Sequence, residues 1–420
     1  MKAISVHRVT DRTVSVPGSK SFTHRVLIAA ALCEGLCAVE GMLESEDTLL
    51  TLKALERMGI RTEAQERLLL VHGRAGRFAP ARAPIELGNS GTSMRLLTAV
   101  AALGTGCYVL QGSERMAQRP IGDLLDALGQ MGIAARSLAG NGCPPVEIAG
   151  GQAEGGRVTI DCHLSSQFLS AVLLISPCCR RNVEIEVVRG PVSRPYVDLT
   201  CAVMQRCGIR FERWGYGRFR IPGGQVYRAD RLRVEPDCSQ ASYFWAAAAV
   251  TGGRVAVAGI GPESLQGDLG FVHVLEQMGC TVTFVPEGVS VAGGDLRGVE
   301  VDMADMPDVV PTLAVVAAFA KGVTTITGVG HLREKESDRI GAVAAELGRM
   351  GVRVETGEDW LRIHGGQPHG AEIDTYNDHR IAMSFAVAGL RVPGMVIRRP
   401  EVVIKSFPDF WKVFDRLYAF

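Results

Sequence analysis

The residues best suited to chemistry fall in seven short clusters, six of which carry a cation. They are Pro17-Gly18-Ser19-Lys20-Ser21 with Arg25, Gly88-Asn89-Ser90-Gly91-Thr92 with Arg95, Ser165-Ser166-Gln167, Gln118-Arg119-Pro120, Arg333 to Arg339, Asn377-Asp378-His379-Arg380, and Lys405-Ser406-Phe407-Pro408. Each cluster lies where a helix is expected to begin. The first turn of a helix has unpaired N–H groups and about half a positive charge, which makes it a ready anion site. A cation placed there opposes the helix dipole, so its recurrence at equivalent places calls for an anionic ligand. Glycines such as Gly18 and Gly91 let the backbone come close to a phosphate. The GSKS segment does not meet the G-x-x-x-x-G-K-[ST] spacing of a nucleotide-binding P-loop, and no G-x-G-x-x-G follows a strand, so neither nucleotide fold is supported.

The elements that must carry these clusters repeat. The pattern LERMGI returns as LGQMGI, MQRCGI, LEQMGC and LGRMGV, with Gly59, Gly132, Gly208, Gly279 and Gly351 spaced 73, 76, 71 and 72 residues apart. Each glycine ends an apolar stripe of helical spacing and precedes a strand-like stretch, which predicts a helix, a glycine cap and a strand. These helices open at Asp47, Pro120, Pro195, Asp268, Asp338 and Pro408. A second helix per unit starts near Ser19, Ser90, Ser165, Ser239, Asp308 and Asp378, six copies in all. This second set is apolar on most sides and is expected to be buried.

Six units of about 72 residues in a chain of 420 predict two α/β domains of three units each. The sixth unit runs out of chain before its last strand. Residues 3–10 and 13–16 are expected to return and complete it, which makes one domain discontinuous. The expected division is residues 17–229 as a continuous domain and 1–16 plus 230–420 as the other, with a hinge between them.

Forty-five basic and 45 acidic side chains cancel, which removes any global case for nucleic acid or an anionic membrane as partner. The apolar runs near 241–250 and 309–320 fall short of the roughly 20 residues that span a bilayer. The N-terminus lacks a signal-peptide pattern, and the 11 cysteines show no zinc-ligand spacing. A cytoplasmic enzyme without a metal is expected, with a monomer as the default.

In order along the chain, PGSKSFTHR, GNSGTSMR, QRPIGDLLDAL, SSQFLSA, VSRPYVDLT, MPD, KESDRI, YNDHRIAM and KSFPDF resemble the motifs of the enolpyruvyl transferase family. The likeness runs end to end and is strongest to the branch that acts on shikimate 3-phosphate. It implies an inside-out α/β barrel fold of two domains, each of three βαβαββ repeats, closing on shikimate 3-phosphate and phosphoenolpyruvate. It implies transfer of the enolpyruvyl group to the shikimate 5-hydroxyl through a tetrahedral ketal, with phosphate expelled and no cofactor.

Carried over residue by residue, the resemblance gives shikimate 3-phosphate to Ser165, Ser166 and Ser193, with Lys20, Ser21, Arg25, Gln167, Tyr196, Asp308 and Lys335 around the ring and carboxylate. It gives phosphoenolpyruvate to Lys20, Gly91, Arg119, Gln167, Arg339, Arg380 and Lys405. Asp308 and Glu336 become the proton-transfer groups, with Lys20 beside them, and His379 steadies the intermediate. The charges agree, because the two substrates bring about five negative charges that seven cations can match, each charged hydrogen bond contributing about 1.5–3 kcal/mol.

Two positions depart from the pattern. Leu96 stands where many relatives have Pro, and His331 where some have Asn. The sister activity on UDP-N-acetylglucosamine is expected to need a lid-loop cysteine, which Gly112–Arg119 lacks. A non-catalytic phosphosugar-binding protein would be signalled by loss of Asp308, Glu336 or Lys405, and all three are present.

Overall fold

In the computed structural model of the chain, which describes residues 1–66, 68–151 and 153–418, the repeat written in the sequence becomes six small sheets and twelve α-helices among those residues. The helices are α1 (Lys20–Leu32), α2 (Glu46–Arg57), α3 (Gly91–Ala101), α4 (Gly122–Gln130), α5 (Ser166–Ile175) and α6 (Pro195–Arg206). They continue with α7 (Cys238–Thr251), α8 (Gly270–Gln277), α9 (Val310–Ala318), α10 (Arg339–Arg349), α11 (His379–Gly389) and α12 (Phe410–Asp415). The odd-numbered helices are buried almost throughout, because apolar residues occupy every face. The even-numbered ones bury one stripe only. Several of these close on a glycine in the left-handed region, with φ of +88° at Gly59 and +77° at Gly351, a conformation that costs other residues energy.

Contacts divide the chain into two compact units, Met1–Pro17 with Glu235–Phe420, and Gly18–Val234. In Gly18–Val234 the sheets hold residues 34–40, 68–74 and 61–65, then 107–111, 146–149 and 135–137, then 183–189, 218–221 and 212–214, each trio antiparallel. A fourth strand joins each trio in parallel: 231–233 beside 34–40, 85–86 beside 107–111, and 156–161 beside 183–189. Helices α1, α3 and α5 form the buried centre of this unit, and its core runs from Phe22 to Val234.

In the other unit, strands 254–258 and 323–327 each anchor the same arrangement, joined in parallel by 11–14 and 300–302. The sixth sheet has three strands, with 395–397 between 372–373 and the N-terminal Lys2–Ile4. The N-terminus therefore serves two sheets. Residues 2–4 complete the sixth unit as expected of the chain start, whereas 11–14 supply the first strand of the fourth unit, beside Arg254–Ala258. Strand 231–233 precedes α7 in the chain but pairs with Glu34–Glu40, which puts the division after Val234. The physical reason is edge pairing: the strand 34–40 needs a parallel neighbour on its open edge, and the segment that leaves this unit provides it.

Of the expected helix starts, Pro120, Asp268 and Pro408 each lie two residues ahead of α4, α8 and α12, and two of the buried set move as well. The cap of α7 is Asp237, whose carboxylate accepts from the Gln240 N–H at 3.1 Å, so Ser239 is the second residue of the helix rather than its cap. Asp308 sits in a 3-10 turn ahead of α9, and its carboxylate pairs with Arg339 and Arg380. All 11 cysteines are free thiols. Among the described residues, no helix is long and apolar enough to cross a membrane.

Trp245 is fully buried in α7, and its indole N–H donates to the Val289 carbonyl at 3.0 Å. Trp245→Ala is expected to cost about 3–5 kcal/mol in urea unfolding. A loss under 1 kcal/mol would show that the α7 core is not as tightly packed as drawn.

Candidate functional site

In the unit Gly18–Val234, three buried helices begin at the clusters singled out above. Ser19, Ser90 and Ser165 are the N-caps of α1, α3 and α5. Lys20 is the first residue of α1 and is paired at 3.2 Å with Asp47, in the first turn of α2. A chain of hydroxyls then ties these helix starts together, since Thr51 meets His24 at 2.8 Å and Ser93 at 2.7 Å, and Ser93 meets Ser90 at 2.6 Å. Buried polar networks of this kind fix positions more than they add stability.

Arg25 is a buried charge held by neutral groups. It is 1% exposed and gives its hydrogen bonds to Thr200 Oγ1 at 2.7 Å, Ser170 Oγ at 3.1 Å and the Ser21 carbonyl at 2.9 Å. No carboxylate lies within ion-pair distance of it among the described residues. Burial pulls its pKa down to about 10 from 12.5, so it remains charged at neutral pH. The ring of Tyr196 stands 5.8 Å from the guanidinium. Ser165 and Ser166 open α5, and Ser193 is buried with φ of +55°, a strained value for serine that often marks a functional site.

Gln167 links the second and third helix starts. Its carbonyl oxygen accepts from Arg95 at 2.9 Å and its amide donates to Thr92 at 2.9 Å. Arg119 is buried over Gly91 and donates to the Asn89 carbonyl at 3.1 Å. A Cβ on Gly91 would stand 2.5 to 2.8 Å from the guanidinium, so only glycine leaves Arg119 its place.

The other unit gathers a different kind of site. Arg339, first residue of α10, is 1% exposed and holds Asp308 at 2.9 Å, Glu336 at 2.9 Å and Asp378 at 2.8 Å. Burial alone would lower its pKa, but Asp378, Glu336 and Asp308 raise it, so it is charged at every accessible pH. Arg380 reaches the second oxygen of Asp308 at 2.5 Å. Asp378 caps α11 through the Arg380 N–H at 2.9 Å, which fixes His379 and Arg380 at the first turn. Tyr376 and Asn377, with φ of +51° and +55°, make the bend that delivers them. Lys405 is buried at the end of a 3-10 turn, and Lys335 is half-buried beside Glu336.

His331 is buried close to Lys335 and Arg339. Burial first, and then those two cations, depress its pKa to about 3, so the imidazole is neutral. Thr51, Ser93, Ser170 and Thr200 escaped notice as site residues in the sequence, because a hydroxyl on a helix gives no signal of its own, and Asp47 stood out there only as the opening of a helix. Among the described residues, no group of three His, Cys, Asp or Glu side chains is placed to hold a metal.

The comparisons with known proteins agree with one another. Residues 7–414 match the family model described as EPSP synthase (3-phosphoshikimate 1-carboxyvinyltransferase). The chain is 48% identical to the 3-phosphoshikimate 1-carboxyvinyltransferase of Methanoculleus marisnigri and 46% identical to that of Syntrophobacter fumaroxidans, over 96% of each chain. A solved EPSP synthase from Acinetobacter baumannii superposes with a TM-score of 0.83 at 30% identity, over 99% of this chain and 97% of that one. The enolpyruvyl transferase NikO from Streptomyces tendae, at 21% identity and TM-score 0.78, shares the fold.

The neutral state of His331 has a consequence for stability. The unfolded chain takes a proton on this residue near pH 6.5 and the folded chain refuses it until about pH 3, so stability is lost as pH falls through that window. Between pH 7.5 and 5.0 this group accounts for about 2 kcal/mol, which His331→Gln should remove from urea unfolding curves. Equal acid sensitivity in the two proteins would refute a buried neutral imidazole.

Proposed function

Because the chain belongs to the EPSP synthase (3-phosphoshikimate 1-carboxyvinyltransferase) family, we propose that its two sets of buried cations take shikimate 3-phosphate and phosphoenolpyruvate. It is a transferase of the shikimate pathway, and it has the enolpyruvyl transferase fold. The assignment of residues to substrates and steps is our reading, as is a reducing, cytoplasmic setting, which the 11 free thiols support. One observation carries it. Lys20, Arg25, Arg119, Arg339, Arg380 and Lys405 are each 7% exposed or less, and Lys20, Arg339 and Arg380 sit in the first turn of a helix, where the dipole opposes a cation. Burying so many cations is favourable only against anions.

Shikimate 3-phosphate is assigned to the serines at the start of α5, Ser165 and Ser166, with Ser193, Ser21, Lys20 and Gln167. Arg25, with its lone buried charge, and Tyr196 complete that side. Asp308 and Lys335 meet the ring hydroxyls and carboxylate. Phosphoenolpyruvate is assigned to Lys20, Gly91, Arg119, Gln167, Arg339, Arg380 and Lys405.

For the chemistry, the 5-hydroxyl oxygen bonds to C2 of phosphoenolpyruvate while its proton passes to a base and C3 gains a proton. Loss of a proton from C3 then restores the double bond as the C2–O bond to phosphate breaks. Asp308 is assigned as the base, and Glu336 and Lys20 as the groups serving C3. His379 steadies the ketal. As found, Asp308 is tied to both Arg339 and Arg380, which makes it a weak base. An anionic substrate that takes those arginines releases Asp308, so binding itself raises the basicity of the acceptor. Holding the two reactants together contributes on the order of 7 kcal/mol more.

Phosphate release with both substrates, against each alone, tests the reaction. Asp308→Asn is expected to lower kcat at least about 100-fold while the KM for shikimate 3-phosphate stays within about threefold. Near-normal turnover would remove Asp308 from the role of base. Gly91→Ala, by pushing the Arg119 guanidinium, should raise the KM for phosphoenolpyruvate about tenfold and leave that for shikimate 3-phosphate alone. An equal rise for both substrates would contradict the assignment of Arg119.

A further inference from the structure

Behind Asp308 lies a second carboxyl that the assignments above do not use. Asp268 sits in the 3-10 turn Gly267–Leu269 that leads into α8, and it is 5% exposed. One of its oxygens is hydrogen-bonded to the Ser239 hydroxyl of α7. The other makes no hydrogen bond among the described residues. The turn packs against the one carrying Asp308, so closely that a Cβ on Gly270 would stand 3.2 Å from the Met306 sulfur. The charged and titratable groups facing the carboxyl are Asp308, Arg380 at the start of α11, and Asp237 and Cys238 at the start of α7.

We propose that Asp268 is a positioning residue for carboxyvinyl transfer: buried in the turn packed against the one whose Asp308 holds Arg380, it sets how much of the Arg380 charge is left for phosphoenolpyruvate. This rests on the assignment of Arg380 to that substrate. A buried carboxylate with one oxygen unsatisfied is costly to ionise, and the neighbouring charge of Asp308 adds to the cost. Burial and then Asp308 raise the Asp268 pKa to about 7, against the opposing pull of Arg380 and the Ser239 hydroxyl. Below that pH the group is a neutral acid, and Arg380 faces Asp308 alone. Above it, Asp268 adds a negative charge that competes for Arg380 and repels the incoming anion. Affinity for phosphoenolpyruvate therefore falls as pH rises through neutrality.

The test is the KM for phosphoenolpyruvate from pH 6.0 to 8.5, at saturating shikimate 3-phosphate, in wild type, Asp268→Asn and Ser239→Ala. The substrates' own phosphates titrate alike in all three, so only differences between proteins report on Asp268. One charge within about 10 Å at an effective dielectric near 20 is worth about a tenfold rise in wild type, and Asp268→Asn should reduce it to about twofold or less. Ser239→Ala removes a hydrogen bond that favours the ionised form, so the midpoint of the rise should move to higher pH. A wild-type rise that survives in Asp268→Asn overturns the role of Asp268. Should that variant fail to fold by circular dichroism, a midpoint in Ser239→Ala that is unmoved or lowered does the same. Wild type that releases no phosphate from the two substrates overturns the underlying reaction, a result separate from either.

Discussion

A buried cation at the start of a helix is unstable company for the helix dipole, and most of what this fold does locally is a response to that. Arg339 is neutralised by three carboxylates, Asp308, Glu336 and Asp378, and Asp378 also caps the helix that carries Arg380. Lys20 is paired with Asp47 from the next helix. Arg25 has no acid at hand and is held instead by two hydroxyls and a carbonyl, which satisfy its hydrogens without cancelling its charge. That residual charge is the kind of feature a phosphate or carboxylate ligand would complete.

The two units meet this constraint in different ways. In Gly18–Val234 the cations lean largely on neutral oxygens: Arg95 on Gln167 and the Pro120 carbonyl, Arg119 on Asn89, Arg25 on Thr200 and Ser170. In the unit built from Met1–Pro17 and Glu235–Phe420, carboxylates crowd the two arginines. The first arrangement suits holding a fixed anion. The second suits proton transfer, because carboxylates whose partners can be exchanged change their basicity when a substrate arrives. Asp268 belongs to this second set, as a carboxyl that its own burial, and then the charge of Asp308, push towards the neutral form.

Rigidity of the scaffold comes from repetition. Each parallel strand, buried helix and antiparallel pair repeats with small changes, so helix starts recur at comparable places and each can present a different side chain. The crossing strands tie chain connectivity to architecture: 11–14 and 231–233 each leave the helix they precede and complete a sheet elsewhere. Close backbone contacts reinforce this. A Cβ on Gly253 would fall 1.8 Å from the Val9 carbonyl, so the N-terminal segment lies directly on the start of strand 254–258.

Much of this was legible in the residues themselves. A recurring glycine about every 72 residues reports a helix end because left-handed backbone strongly favours glycine, and serine or aspartate before an apolar run reports a helix start because a side-chain oxygen is needed there. Those local requirements gave Ser19, Ser90, Ser165, Asp338 and Asp378 as starts, and the order of the motifs gave the family. Tertiary structure decided the rest. Ser239 proved to lie inside α7 and Asp308 outside α9, because Asp237 outcompetes a serine as cap and two arginines draw Asp308 away. The pairing of Lys20 with Asp47, the seat of Arg119 over Gly91 and the carboxyl of Asp268 behind Asp308 join residues far apart in the chain. Which helix start faces which depends on packing, and packing is set by the whole core rather than by any local run of sequence.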